Sequence, residues 1–294
     1  MPAVATSRGQ VGSSTKRSVP VSHRLGMMSS SMATVLHVAP HPDDESIGAV
    51  ATLLALRHAQ HEVINLACSL GRLEPERRRV ELETACKRAE FELIVHQPPL
   101  HISSGDDLAA AQRALSATVG RLILERRIDV VVSPSPHDGH HGHEMVGRAV
   151  RDAVSAAPPL GPRLWMWGLW ADLPHPNLYV GFDDERMARA IHVLDAHEGE
   201  LERNDYRLVV RGRAKANRVL GSERVFGWGA RARPQHNAEL LTEVVWRDGE
   251  WWASSARELD ARVPLADGEG APVRLGWWMD SPSFADRLRR ARSG

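Results

Sequence analysis

Over the first half of the chain, short apolar runs alternate with stretches whose apolar residues recur every three or four positions. Thr34–Ala39 predicts a buried strand, Glu45–His61 a helix, and Val63–Ser69 a second strand. Helical spacing returns over Arg77–Leu93, before a short apolar segment that stops at Pro98-Pro99. A long helix is expected over Asp107–Arg126, and IDVVVSP (Ile128–Pro134) is the clearest strand in the chain. His143–Ala157 is helical again and ends before Pro158-Pro159. Strands alternating with helices imply a parallel sheet covered on both faces. In such sheets ligands bind beyond the carboxyl ends of the strands.

The second half is less regular. Arg163–Trp170 and Leu178–Phe182 read as strands, and Asp184–Arg203 as a helix carrying His197. Beyond it the pattern assigns no elements, though tryptophans gather at Trp251, Trp252, Trp277 and Trp278. The expected architecture is α/β: a Rossmann-like three-layer core with a mostly parallel sheet over residues 33–160. Residues 161–294 form a less regular C-terminal part of the same domain. Residues 1–32, with four Arg/Lys, no acidic residue and no apolar core, read as a disordered tail rather than a secretory signal.

Composition narrows the function. The chain has 294 residues, 43% hydrophobic and 25% charged, as in ordinary soluble proteins. Its net charge is zero, so electrostatics give no case for nucleic acid or a membrane surface. No apolar run is long enough to span a bilayer. Cys68 and Cys86 match no zinc or disulfide framework, which suits a reducing cytoplasm; spacing alone leaves one disulfide open.

The candidate chemistry sits where strands end. Val35–Ala39 breaks at Pro40, and His41, Asp43, Asp44 and Glu45 follow at once. After Ile128–Pro134 come His137, His140, His141 and His143, opening the next helix. A catalytic zinc takes three nitrogen or oxygen ligands and keeps a position for water. His41, a carboxylate and a histidine of the second cluster would complete such a set. Each half has a plainer reading. Asp43 could be an N-cap with Asp44 and Glu45 complementing the helix dipole, and HDGHHGH could be a polar loop. Both clusters behind buried-strand patterns make the metal reading the stronger one.

These motifs resemble the LmbE-like, or PIG-L, zinc-dependent N-acetylglucosaminyl deacetylases. The family pattern is AHPDDE, an R-x-x-E-L helix, and a GHPDH-like motif opening a later helix. Here Pro40–Glu45 reads PHPDDE, Arg78–Leu82 reads RRVEL, and Gly139–His143 reads GHHGH. DAHEGE around His197 is similar to a late family segment, A-x-H-x-S-Q. The resemblance implies that His41, Asp44 and His143 bind zinc, that Asp43 is the general base, that His140 faces the substrate carbonyl, and that Arg78 contacts the sugar. Ferrous iron could occupy the same ligands. The implied reaction is hydrolysis of an N-acetyl or short N-acyl group from an amino sugar in a small-molecule conjugate, in bacterial secondary or thiol metabolism. The implied partner is that conjugate; the oligomeric state is left open.

The chain departs from the family at three points. Gly142 and His141 stand where the family has aspartate and proline, so Asp138 or another carboxylate would have to orient His140. Gly71-Arg72 replaces Gly-Glu, and Arg72, Arg77, Arg78 and Arg79 make that region basic: a solvated helix face or an anion clamp. In WMWGLW, Trp165 and Trp167 share one strand face, as core packing or as a sugar platform. Three other readings compete with this one. They are a zinc amidase cleaving a thiol–sugar conjugate, a metal-stabilised binding protein, and a two-metal phosphoesterase. A closed structural site would not need the free carboxylate of Asp43, and the second cluster is short of bridging carboxylates for two metals.

Overall fold

The computed structural model describes residues 32–158, 161–265 and 273–282. The tail expected over residues 1–32 therefore lies outside the described residues, except for Met32. The chain opens β1 (Thr34–Ala39), α1 (Asp44–Ile47), α2 (Val50–His58), β2 (Glu62–Ala67), α3 (Pro75–Ala89) and β3 (Glu92–Val95). It continues α4 (Leu108–Glu125), β4 (Val130–Pro134), α5 (His141–Ser155), β5 (Arg163–Trp167), β6 (Leu178–Phe182), α6 (Asp184–Leu194) and α7 (Glu198–Arg203). Last come α8 (Tyr206–Phe226), β7 (Asn237–Arg247), β8 (Glu250–Ala253), β9 (Arg257–Glu258), β10 (Val273–Arg274) and α9 (Gly276–Met279). No helix among the described residues is long and apolar enough to cross a membrane.

The strands lie in the order β10-β8-β7-β5-β4-β1-β2-β3, with β6 paired to β7 and β9 to β6. From β3 to β5 every neighbour is parallel, and β7, β8 and β10 then add antiparallel strands. Alternate residues of the parallel strands feed two cores. Val35, Val63, Val130, Val132, Trp165 and Trp167 face the side covered by α2, α3 and α6. Leu36, Val38, Ile64, Leu66, Val131, Leu164 and Met166 face α4 and α5. Two-sided burial explains why these strands are apolar throughout. It also puts Trp165 and Trp167 in the core on one face, as alternation predicts. The order of strands reverses between β1 and β4, the position where such sheets bind ligands. Cys68 and Cys86 are free and buried.

Several expected elements are cut shorter than periodicity alone suggests. The helix expected over Glu45–His61 splits at Gly48–Ala49 into α1 and α2. A Cβ at Gly48 would lie 2.6 Å from Cε2 of Trp167, so the indole occupies the space a regular side chain needs. The expected helix Arg77–Leu93 ends at Ala89, because Glu90 turns left-handed (φ 60°) and β3 follows. Asp184–Arg203 divides into α6 and α7 with His197 at the break. The clash at Gly48 makes a prediction: Gly48→Ala forces the Trp167 ring or the α1–α2 junction to move. It should cost about 1–3 kcal/mol, as overpacking does, measured as a shifted urea midpoint.

Candidate active site

The loop after β1 folds back through Asp44. The His41 amide donates to Asp44 Oδ2 at 2.8 Å, and His41 Nδ1 lies 3.3 Å from the same oxygen. The other carboxylate oxygen lies 3.4 Å from His143 Nε2. One ligand atom from each of His41, Asp44 and His143 falls within 4.8 Å of the other two. His143 Nδ1 donates to Asp138 Oδ2 at 2.8 Å, which turns Nε2 toward Asp44. Its ring also meets Trp167 edge-on at 5.4 Å.

This donor set fits a divalent cation. Two imidazoles and one carboxylate are the open catalytic zinc pattern, and the carboxylate behind His143 is the usual outer support for a ligating histidine. Burial alone would lower the pKa of His143, yet Asp44 and Asp138 outweigh it and raise it. Those carboxylates favour positive charge at Nε2. Asp44 shows the converse: burial pushes its pKa up, but His143 and His41 hold it below the ordinary carboxylate range.

Asp43 stands beside this trio and outside it. It occupies the cap position of α1, but its side chain makes no capping bond. Its backbone lies at φ 136°, where residues other than glycine are rare. Burial, then the nearby Asp44 and Glu200 carboxylates, push its pKa well up, against the pull of Arg78. Glu45 holds the turn. Its Oε2 accepts from the Asp43 amide at 3.2 Å, and its Oε1 lies 2.5 Å from His197 Nε2. Glu45 and His197 are both 0% exposed.

The second cluster divides. His140 caps α5 and faces His41 and His143, with ring centroids 5.4 and 4.7 Å away. Burial, then His143, His41 and His141, push its pKa down to about 3, so it is neutral. Its Nδ1 is buried with no hydrogen-bond partner. The expected aid from Asp138 goes to His143 instead. Asp138 Oδ1 accepts from the amides of Leu169 and Trp170 at 2.5 and 3.2 Å, which anchors that carboxylate beneath His143. A Cβ at Gly142 would lie 3.2 Å from the His41 ring, so a larger residue there must displace neighbours. His141 stacks on His140 at 4.4 Å, and His137 turns away to the Trp278 carbonyl at 2.7 Å.

These residues open onto a cleft of about 500 Å³ that Arg78, Leu169, Trp170, Glu200, Arg203 and Tyr206 complete. Arg78 donates to the Pro42 carbonyl at 3.0 Å and pairs with Glu200 at 2.9 Å. Arg72 pairs with Asp106, and Arg77 with Glu81 and Glu202, so these two are ion-paired side chains rather than a clamp. A second crevice shares Ile47 and Leu169 with the cleft. Its arginines, Arg213 and Arg224, are tied to the Leu169 and Leu173 carbonyls, and its lining includes no histidine.

The support behind His143 yields a prediction. Asp138→Asn would present an N–H donor to Nδ1 and favour the wrong tautomer. Metal affinity should fall about 10–100-fold, the usual effect of losing such a partner. Competition with a chelator would measure it.

Known proteins resemble the chain in sequence and in fold. Residues 36–154 match the PIG-L family model, described as GlcNAc-PI de-N-acetylase. A 2'-N-acetylparomamine deacetylase of Streptomyces fradiae is 26% identical over 178 residues, 52% of this chain and 62% of that protein. The match thus spans about three fifths of the relative's length. The structure of a pseudoaglycone deacetylase for an antimicrobial reagent superposes with a TM-score of 0.56 at 14% identity, covering 72% of this chain and 98% of that one. The 4-carboxy-2-hydroxymuconate hydratase of Pseudomonas putida superposes at 0.51 and 16% identity, covering 74% and 98%. At such identities the superpositions establish the fold, which also carries chemistry other than deacetylation. The stretch from β1 through α5, with its PHPDDE turn and its histidine-led helix, is the part of the chain that is similar to the PIG-L, or LmbE-like, family.

Proposed function

We propose that the protein hydrolyses the N-acetyl, or another short N-acyl, group of an amino sugar within a small-molecule conjugate. The carrying observation is Asp43: a buried carboxylate in the cleft, beside a three-ligand cation site yet free of it. The Streptomyces relative is a 2'-N-acetylparomamine deacetylase, and the pseudoaglycone deacetylase belongs to an antimicrobial reagent. Antibiotic biosynthesis is therefore the favoured setting.

His41, Asp44 and His143 would hold the metal, zinc by donor type. A divalent ion bound there brings the pKa of water toward ~7 and polarises a carbonyl. Asp43 takes the proton of the attacking water and returns it to the departing nitrogen, which needs a carboxylate whose pKa lies above the ordinary range. His140 is neutral and offers an N–H to the oxygen that gains charge as the carbonyl becomes tetrahedral. Arg78 anchors the Asp43 turn through the Pro42 carbonyl and stands 3.9 Å from Asp43 Oδ1, where it can meet the sugar.

The test is metal content together with free-amine release from a panel of N-acetylglucosamine conjugates. One metal per chain with turnover of a sugar amide supports the reading. A chain that binds no metal, or binds it and releases no amine from any acyl sugar, defeats it.

A further inference from the structure

We propose that Trp170 is the carbohydrate platform of the cleft, taking the apolar face of the amino-sugar ring whose acyl group is removed; this rests on the deacylase reading above. The first observation is exposure. Trp165 and Trp167 are fully buried, but Trp170, three residues on, is 56% exposed at the rim of the cleft. Trp228 and Trp277 are more exposed still, at 88% and 73%, but neither lines the cleft, so Trp170 is the exposed indole placed to meet a bound ligand.

The second is rigidity. The Leu169 and Trp170 amides both donate to Asp138, the carboxylate that orients His143. The Arg213 guanidinium holds the Leu169 carbonyl. A Cβ at Gly168 would run into the Ala171 carbonyl, so the chain is close-packed there. Trp170 is thus displayed from a pinned segment that is tied to the metal-site support.

The third is orientation. One side of the indole packs toward His140 at 6.2 Å and 29°, and His140 in turn stacks on His141. The ring planes therefore run roughly parallel from α5 out to the rim. The remaining cleft wall is polar and fixed. Glu200 accepts from Arg78 at 2.9 Å and from Arg203 at 2.5 Å, and Arg203 reaches the Tyr206 hydroxyl at 3.0 Å. An aromatic face with an ordered donor–acceptor array suits a ligand with one C–H face and hydroxylated edges, which describes a pyranose. An acyclic amide would use neither.

The probe is p-nitrophenyl N-acetyl-β-glucosaminide. Trp170→Ala should raise KM about tenfold, with the loss falling on KM rather than kcat, and Trp170→Phe should recover all but about threefold. Calorimetric binding of the same glycoside in an Asp43→Ala background should weaken about tenfold in parallel, or ~1.4 kcal/mol. Unchanged KM and binding in Trp170→Ala, or a loss confined to kcat that Phe does not rescue, would overturn the platform. If the wild type releases no amine from this glycoside or from any acyl sugar of the panel, the deacylase reading fails, and binding decides Trp170 separately. Weaker binding in the Ala variant upholds it; equal binding, or none by the wild type, rejects it.

Discussion

Replacing Asp43 with asparagine should lower kcat for deacylation about 10³-fold and leave metal content unchanged. General-base catalysis by a positioned carboxylate contributes about 10²–10⁴-fold, and 10³ corresponds to ~4 kcal/mol of barrier. The substitution is clean on three counts. Asp43 makes no capping bond, so α1 keeps its start. Asparagine has nearly the shape of aspartate, so the unusual φ of 136° is no harder for the replacement than for the native residue. Its carboxylate is buried near Asp44 and Glu200, so neutralising it removes repulsion, and thermal stability should hold or rise. Metal analysis, kcat and a melting curve together check this. A kcat within tenfold of wild type would remove Asp43 from the chemistry, and loss of the metal would make it a ligand instead.

The sequence made the centre of the molecule legible because its signals are local. Strands β1, β2 and β4 are apolar on both faces, and a doubly covered sheet has no polar face to obscure them. His41, Asp43 and Asp44 are packed into one turn, and His140 and His143 into one helix start. What stayed hidden depends on distant contacts. The α1–α2 break falls at Ala49 (φ −147°), next to a glycine packed against Trp167 of another strand. The eleven-residue β7 has no clean alternation because two of its glutamates point inward. Glu239 accepts from the Ala51 and Thr52 amides at 2.9 and 2.8 Å and so caps α2. Glu243 accepts from Trp165 Nε1 at 2.6 Å and from Arg163 and Arg257. A carboxylate inside the fold looks, in sequence, like one outside it. The same holds for the cleft. Glu200, Arg203, Tyr206 and Trp170 arrive from far along the chain with no spacing that ties them to PHPDDE. Asp138 was visible as a partner for a histidine, but five residues of loop and helix start carry it to His143 rather than His140.

His197→Ala should be the most damaging substitution outside the cation site, and its cause lies in Asp43. The strained Asp43 backbone, of a kind that costs about 1–3 kcal/mol, persists because its surroundings impose it. Glu45 is the imposing group, since it accepts the Asp43 amide, and His197 is the group that holds Glu45. Burial raises the pKa of Glu45, yet His197, helped by the Glu45 and Asp43 amides, makes the net shift downward, which favours the ionised carboxylate in the core. Removing the imidazole leaves a buried charge without its main partner, a loss of about 3–5 kcal/mol. For a chain of this size that is a fall in Tm of roughly 6–20 °C at about 2–4 °C per kcal/mol. His197→Gln restores an N–H for Glu45 and should recover a good part of it. The two variants separate packing from positioning. If His197 only fills space, Gln restores stability and the remaining activity follows the folded fraction. If it fixes Asp43 through Glu45, the folded Gln variant should still show kcat reduced about tenfold with KM nearly unchanged, because the base is displaced while the cleft that binds the sugar is not. Stability and kcat both at wild-type values in His197→Ala would exclude the pair from either role.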